Sequence, residues 1–271
     1  MPTHDTPYKS INLGSAADGL QVVTVETQNQ FIAEIKRAIR YFFTTGDGSF
    51  LRDFPHMEDS HNFPFKGFIL SGKPGTGKTE AVKQACSQLF SSLSNEGFEL
   101  RLFHVNSANI NREALGKNEE RLEKVFQDAQ PTSIGSNSIR TVILFDDIET
   151  LLVKRTDEHT TEWSRSMNGV FFHQLDSMKT SKTLVIATTN QPEMVDDAVH
   201  SRLSFREVPP PTFDEMMSVA NAALPPAKSD ELLPIVESVL QNALDEGDSA
   251  SFRMARKSAI EVLMKNVIGW N

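Results

Sequence analysis

The sequence predicts an α/β protein, a mostly parallel sheet with helices on both faces followed by a small all-helical lid. Three observations carry that expectation. Strand-like runs alternate with helical patterns from residue 68 to residue 208, the strands are apolar almost throughout, and strand patterns stop beyond Pro209-Pro210-Pro211. Repeated βα units build parallel sheets. A strand that is apolar at nearly every position needs cover on both faces.

Ahead of the first strand, a polar leader over residues 1–24 gives way to Phe31, Ile32, Ile35, Ile39, Phe42 and Phe43, which recur at the spacing of one amphipathic helix. Asp47 to His61 reads as loop. The aromatic group Tyr41, Phe42, Phe43, Phe50, Phe54, Phe63 and Phe65 is expected to pack on the main body, because a stripe at helical spacing usually faces a core. The strands follow at Phe68 to Leu70, Glu99 to Val105, Thr141 to Phe145, Thr183 to Ala187 and Phe205 to Val208. Thr212 to Leu224, Asp230 to Leu244 and Ser251 to Val267 then carry helical periodicity, each opened by a cap or an acidic first turn.

Between the first strand and the next helix stands Gly72-Lys73-Pro74-Gly75-Thr76-Gly77-Lys78-Thr79-Glu80, a phosphate-binding loop in its strand-loop-helix context. Glycines let the backbone wrap a polyphosphate, so that Pro74, Gly75, Thr76, Gly77 and Glu80 present main-chain groups to it. Lys78 reaches the terminal phosphates, and the Thr79 hydroxyl is a ligand for Mg²⁺. Strand Thr141 to Phe145 ends in Asp146-Asp147-Ile148-Glu149, carboxylates at the end of a central strand where α/β sheets bind ligands. Asp146 suits Mg²⁺ and Asp147 the attacking water. Another strand ends in Thr188-Thr189-Asn190, where the Asn190 amide can align that water. Arg202 precedes the last strand and Arg253 opens the last helix. Guanidinium groups stabilise charge on a transferring phosphoryl, and Arg202 is better placed for a neighbouring subunit's nucleotide, Arg253 for its own. The units implied are a leader (1–24), an α/β nucleotide-binding domain (25–210) and a helical lid domain (211–271).

At 271 residues the chain is long enough for a full core with a small appended unit. Its apolar and charged fractions, 39% and 23%, are those of an ordinary globular protein, and no apolar run is long enough to span a membrane. With no signal-peptide pattern at Met1 to Asp5, a cytosolic address is expected. The single cysteine, Cys86, excludes an internal disulfide and reads as a small core residue. A net charge of −9 argues against a nucleic-acid-gripping protein, including a DNA-remodelling loader.

The phosphate loop, Asp146-Asp147-Ile148-Glu149, Ala187-Thr188-Thr189-Asn190, Ser201-Arg202 and Ser251-Phe252-Arg253 stand in the order of Walker A, Walker B, sensor 1, arginine finger and sensor 2. Together, over roughly residues 25 to 268, they resemble the AAA+ ATPases. That resemblance implies a five-stranded parallel sheet plus helical lid, ATP and Mg²⁺ as ligands, hydrolysis at subunit interfaces and a homo-hexameric ring. Phe98 to Ser107, Asp146 to Leu151 and Ser166 to Asp176 are most similar to the pachytene-checkpoint remodellers, which partly unfold HORMA-domain proteins, and among them to members from bacterial antiphage operons. A HORMA-domain protein is the partner this implies.

Three departures from the family pattern stand out. Asp147 occupies a place usually held by Glu, Ala114 replaces the pore-loop aromatic and leaves Leu115 beside Gly116 as the gripping side chain, and Arg206 lies one position further from Arg202 than a paired finger does. The shorter Asp147 keeps open an alternative, a nucleotide-switched scaffold with weak or no hydrolysis.

Overall fold

A computed structural model describes residues 6–14, 25–45, 47–55, 65–110, 116–130, 138–152 and 162–269. Five parallel strands form the body of the sheet: β2 (Gly67–Ser71), β3 (Glu99–Asn106), β4 (Ile139–Asp146), β5 (Thr183–Thr189) and β6 (Leu203–Glu207). A sixth, β1 (Lys9–Ile11), pairs antiparallel with β3, giving the order β1-β3-β4-β5-β2-β6. The five-stranded expectation is thus one short. The added strand is only three residues long and largely exposed, too brief for any alternation to announce it. It is anchored by Tyr8, whose ring stacks on Phe103 at 4.0 Å and whose hydroxyl donates to Asp128 at 3.0 Å.

Central strands alternate between two apolar layers. Ile143 and Phe145 of β4 face one cluster with Phe126, Met167 and Phe171, while Val142 and Leu144 face the other with Ile39, Phe43, Val82 and Leu89. The first layer is supplied by α5 (Lys117–Ala129) and α6 (Glu162–Ser177), the second by α1 (Glu26–Phe43) and α3 (Lys78–Asn95). This double cover is why the strands read as continuous apolar runs. The Cys86 thiol lies fully buried in the second layer, and burial pushes its pKa up to about 12, so it serves as packing.

The expected aromatic packing is present for Tyr41, Phe42, Phe43, Phe50 and Phe65, whereas Phe54 is exposed and Phe63 lies outside the described residues. Phe42 stacks on Phe65 at 5.1 Å and meets Phe50 at 5.3 Å. Part of the expected loop is helical, since Phe50 opens α2 (Phe50–Asp53), whose N-terminus is capped by the Ser49 hydroxyl. Residues 56–64 lie outside the described residues. A further short helix, α4 (Ser107–Ile110), follows β3 directly.

Three helices complete the chain: α7 (Phe213–Ala223), α8 (Pro226–Asp245) and α9 (Phe252–Ile268). They bury their own small core around Met216, Leu232, Val236, Leu240 and Ala259. Thr212 and Glu215 form a capping box at the start of α7, and α8 begins four residues earlier than its acidic residues suggested. No helix among the described residues is long and apolar enough to cross a membrane.

Gly67 opens β2 at φ +150°, and a Cβ there would lie 1.7 Å from the Val185 carbonyl oxygen of β5. Neither backbone can yield inside a paired sheet. Gly67→Ala is therefore expected to lower stability by at least ~2 kcal/mol, and a melting temperature equal to that of the wild type would contradict this packing.

Candidate nucleotide site

The loop from Gly72 to Thr79 leaves the carboxyl end of β2 and turns into α3, with Gly75 and Gly77 at φ +80° and +88°. Those conformations suit glycine alone without strain, and the space beside each is taken. A Cβ on Gly77 would meet Gln28 Nε2 of α1 at 1.7 Å, and one on Gly75 would meet Arg253 Cβ of α9 at 2.9 Å. The loop is therefore clasped from both sides. Gln28 Nε2 donates to the Thr76 carbonyl at 3.4 Å, the Phe252 N–H to the Gly75 carbonyl at 2.9 Å, and Lys73 Nζ to Ser249 Oγ at 3.0 Å. Within the loop, Thr76 Oγ1 donates to the Lys73 carbonyl at 3.0 Å, and Pro74 stands at its exposed tip.

Lys78 folds back over this turn. Its Nζ donates to the carbonyls of Gly72 (2.7 Å) and Lys73 (2.9 Å) and to Asn190 Oδ1 (2.7 Å). Burial lowers the ammonium's pKa, against the pull of Asp147, Glu149 and Asp146. Its hydrogen bonds all go to neutral acceptors, so an anionic phosphate is a stronger partner than any it now has. Glu80, in the first turn of α3, has one carboxylate oxygen buried without a hydrogen-bond partner.

At the end of β4, Asp146 gathers three other elements. Its Oδ1 accepts from Thr79 Oγ1 at 2.5 Å and Thr188 Oγ1 at 2.6 Å, while its Oδ2 lies 3.4 Å from His104 Nε2. Burial alone would raise this carboxyl, but the hydrogen bonds from His104, Thr188 and Thr79 outweigh it and bring the pKa down to about 2. A hydroxyl and an ionised carboxylate side by side are the oxygen donors a hard divalent cation takes. The residues present therefore fit a magnesium nucleotide.

Asp147 turns sharply away at φ 52°, ψ 58°, a left-handed conformation rare for a non-glycine residue. Its N–H donates to Thr188 Oγ1 at 3.2 Å, and its Oδ1 accepts from Asn190 Nδ2 at 3.0 Å. Asn190 consequently joins Lys78 to Asp147 through the two ends of one amide. Desolvation, then the charges of Asp146 and Glu149, raise the Asp147 pKa against Lys78 and Arg253. Such a carboxylate is a better proton acceptor than an ordinary one.

The two arginines part company. Arg253 is exposed beside Gly75, close enough to bear on Lys78 and Asp147, and has no hydrogen bond or ion pair among the described residues. Arg202 sits at the opposite end of the sheet, where its carbonyl accepts the Lys66 N–H just before β2 begins. One five-residue strand, roughly 17 Å, separates it from the phosphate loop, so it cannot serve its own chain's nucleotide. Its guanidinium grips Asp176 bidentately through Nε and Nη2, both at 2.7 Å, and lies 5.0 Å over the Phe172 ring. Arg206, exposed on β6, donates to its neighbour's carbonyl at 3.3 Å. Gly116 stands at φ +90° before α5, its N–H donating to Glu119 Oε2 at 3.0 Å, whereas Ala114 and Leu115 lie outside the described residues.

Sequence reasoning left four side chains of this site without a role: Gln28, His104, Thr188 and Glu149. Thr188 and Glu149 stand within the quoted motifs. Gln28 and His104 had no local signal, because only the adjacency of α1 to the loop and of β3 to β4 brings them in.

The fold and site define a P-loop nucleotide-binding protein with an extra strand, β5, between the loop strand β2 and the acidic strand β4. Residues 68–210 match the ATPase family associated with various cellular activities (AAA), and the chain belongs to that family. Among curated relatives, a spastin homologue of Caenorhabditis elegans is 32% identical over 155 residues, 56% of this chain and 27% of that protein. ATPase family gene 2 protein of Schizosaccharomyces pombe is 31% identical over 140 residues, 50% of this chain and 15% of that one. Vacuolar protein sorting-associated protein 4A of Rattus norvegicus is 27% identical over 155 residues, 56% and 32% of the two chains. The matched stretches span less than a third of each of these relatives. A solved structure of an E. coli MS115-1 HORMA:CdnC:Trip13 complex matches 87% of both chains with a TM-score of 0.54 and 13% identity, a likeness of fold.

The depressed Asp146 pKa has a consequence for stability. A carboxyl whose folded pKa lies below its unfolded value of 3.8 stabilises the fold above that value, and the contribution is lost as pH falls from about 4 to about 2. Asp146→Asn is expected to cost about 2 kcal/mol at pH 7 and much less near pH 2, read from urea unfolding at the two pH values. A penalty independent of pH would contradict the hydrogen-bonded, ionised Asp146.

Proposed function

We propose that this chain hydrolyses ATP and uses the cycle to remodel a protein, as a ring-forming AAA motor. The observation that carries the reading is the Lys78-Asn190-Asp147 relay beside the Thr79-Asp146 pair, all at the carboxyl ends of β2, β4 and β5. Bound Mg²⁺ would be held by Thr79 and Asp146 and would neutralise charge on the phosphates. Lys78 exchanges its carbonyl partners for phosphate oxygens. Asp147 takes a proton from water as the water oxygen bonds to the γ-phosphorus and the bond to the bridging oxygen breaks, releasing ADP. Asn190 holds Asp147 and that water in line. Arg253, from the lid, meets the developing charge on the phosphoryl oxygens.

Arg202 is the argument for a ring. Its place at the far end of the sheet suits a neighbouring subunit's nucleotide, and the reading assembles six copies so that each supplies Arg202 to the next. Asp176 then presents the guanidinium. For the substrate we propose a HORMA-domain protein, threaded past Leu115 and Gly116, in the setting of bacterial antiphage signalling. Support comes from the fold likeness to a chain of a complex containing HORMA and Trip13, and from the segment resemblance at Ser166 to Asp176. A second reading, a nucleotide-switched scaffold with weak or no hydrolysis, is favoured by one observation: Asp147 is a methylene shorter than the usual glutamate.

Steady-state turnover of Mg²⁺-ATP separates the two readings. The motor reading expects hydrolysis that falls by at least about a hundredfold in Asp147→Asn with ATP still bound. Turnover indistinguishable between the two proteins would remove Asp147 as the base, and ATP binding without turnover in either would favour the switch. Leu115→Asp is expected to abolish remodelling of a HORMA protein while leaving basal hydrolysis within about twofold of wild type; intact remodelling would remove Leu115 from the pore.

A further inference from the structure

Asp146, Asp147 and Glu149 place three carboxylates on one turn, and the third has so far entered only through its charge, which helps raise the Asp147 pKa. Glu149 stands in the 3-10 turn Ile148–Thr150, which folds it against the end of β5. Its Oε1 accepts the Asn190 N–H at 3.1 Å, whereas its Oε2 is buried with no hydrogen-bond partner in the structure. A desolvated carboxylate oxygen opposes folding. Local sacrifices of that kind concentrate at functional sites.

The bond to Asn190 matters because of where Asn190 stands. β5 ends at Thr189, so Asn190 is the first residue beyond the strand, and its N–H goes to the glutamate. From that point its amide must reach Lys78 Nζ at 2.7 Å with one end and Asp147 Oδ1 at 3.0 Å with the other. A displacement of its backbone by a fraction of an ångström breaks one or both contacts. Asp147 is short, and its backbone stands in the left-handed region.

We propose that Glu149 is a positioning residue for hydrolysis, holding the Asn190 backbone so that the Asn190 amide aims Asp147 at the attacking water. The assignment rests on Asp147 being the base. Its role is geometric, an acceptor of the right length. A shorter side chain at 149 is expected to lose the bond to the Asn190 N–H.

The test reads turnover and binding separately in full-length protein, using Mg²⁺-ATP for kinetics and a fluorescent non-hydrolysable ATP analogue for affinity. Glu149→Gln keeps an oxygen acceptor of the same length and is expected to retain kcat within about threefold; Glu149→Leu and Glu149→Asp are expected to lose at least about tenfold in kcat, with KM and analogue affinity within about threefold. In an Asn190→Ala background, the Glu149 substitutions are expected to cost nothing further, since the group they act through is gone. Glu149→Leu with near wild-type kcat, Glu149→Gln as damaging as Glu149→Leu, a loss confined to KM, or full additivity with Asn190→Ala would each overturn the proposal. Should Glu149→Leu fail to fold, Glu149→Asp and its coupling to Asn190→Ala decide the matter alone. Asp147→Asn measured alongside keeps the two claims distinct: unchanged turnover there defeats the base assignment, whatever Glu149 does.

Discussion

The Asp146 carboxylate is the interaction on which the site depends. One of its oxygens is shared by hydroxyls from α3 and β5, and the other faces His104 on β3. Three elements distant in sequence are thereby pinned to the end of β4. Thr188, in donating to Asp146 and accepting from the Asp147 N–H, also fixes the turn that carries Asp147. The same contacts keep Asp146 ionised, the state a cation requires.

Around that carboxylate the phosphate loop carries its own internal hydrogen bonds. Lys78 donates to two of the loop's own carbonyls, and its third bond goes to Asn190. Lys78 and Asp147 are thereby joined through a single intervening amide. The lid is coupled by a separate route, because the start of α9 donates directly to the Gly75 carbonyl and Lys73 reaches Ser249. These contacts join the loop to the last helix without any side chain of the acidic turn taking part.

Much of this was legible in the sequence, for reasons that can be named. The phosphate loop, the Asp146-Asp147 turn and Asn190 are local motifs at strand ends, and the mostly parallel sheet was legible because repeated βα units build one. The lid helices were legible from their period, though the start of α8 was not, since Pro226 to Ser229 carries no apolar repeat. What escaped depends on adjacency. His104 matters only because β3 lies beside β4, Gln28 only because α1 crosses the loop, and the Arg202-Asp176 pair joins residues on separate elements with nothing in their spacing to link them. β1 escaped because three exposed residues cannot establish a period.

The most direct test of this account is a crystal structure with Mg²⁺ and a non-hydrolysable ATP analogue. The Lys78 ammonium is expected to leave the Gly72 and Lys73 carbonyls for phosphate oxygens, Thr79 and Asp146 to lie at the metal, and Asn190 to keep its hold on Asp147. An analogue bound elsewhere, or one bound in the loop with Lys78 still on its own carbonyls, would contradict it.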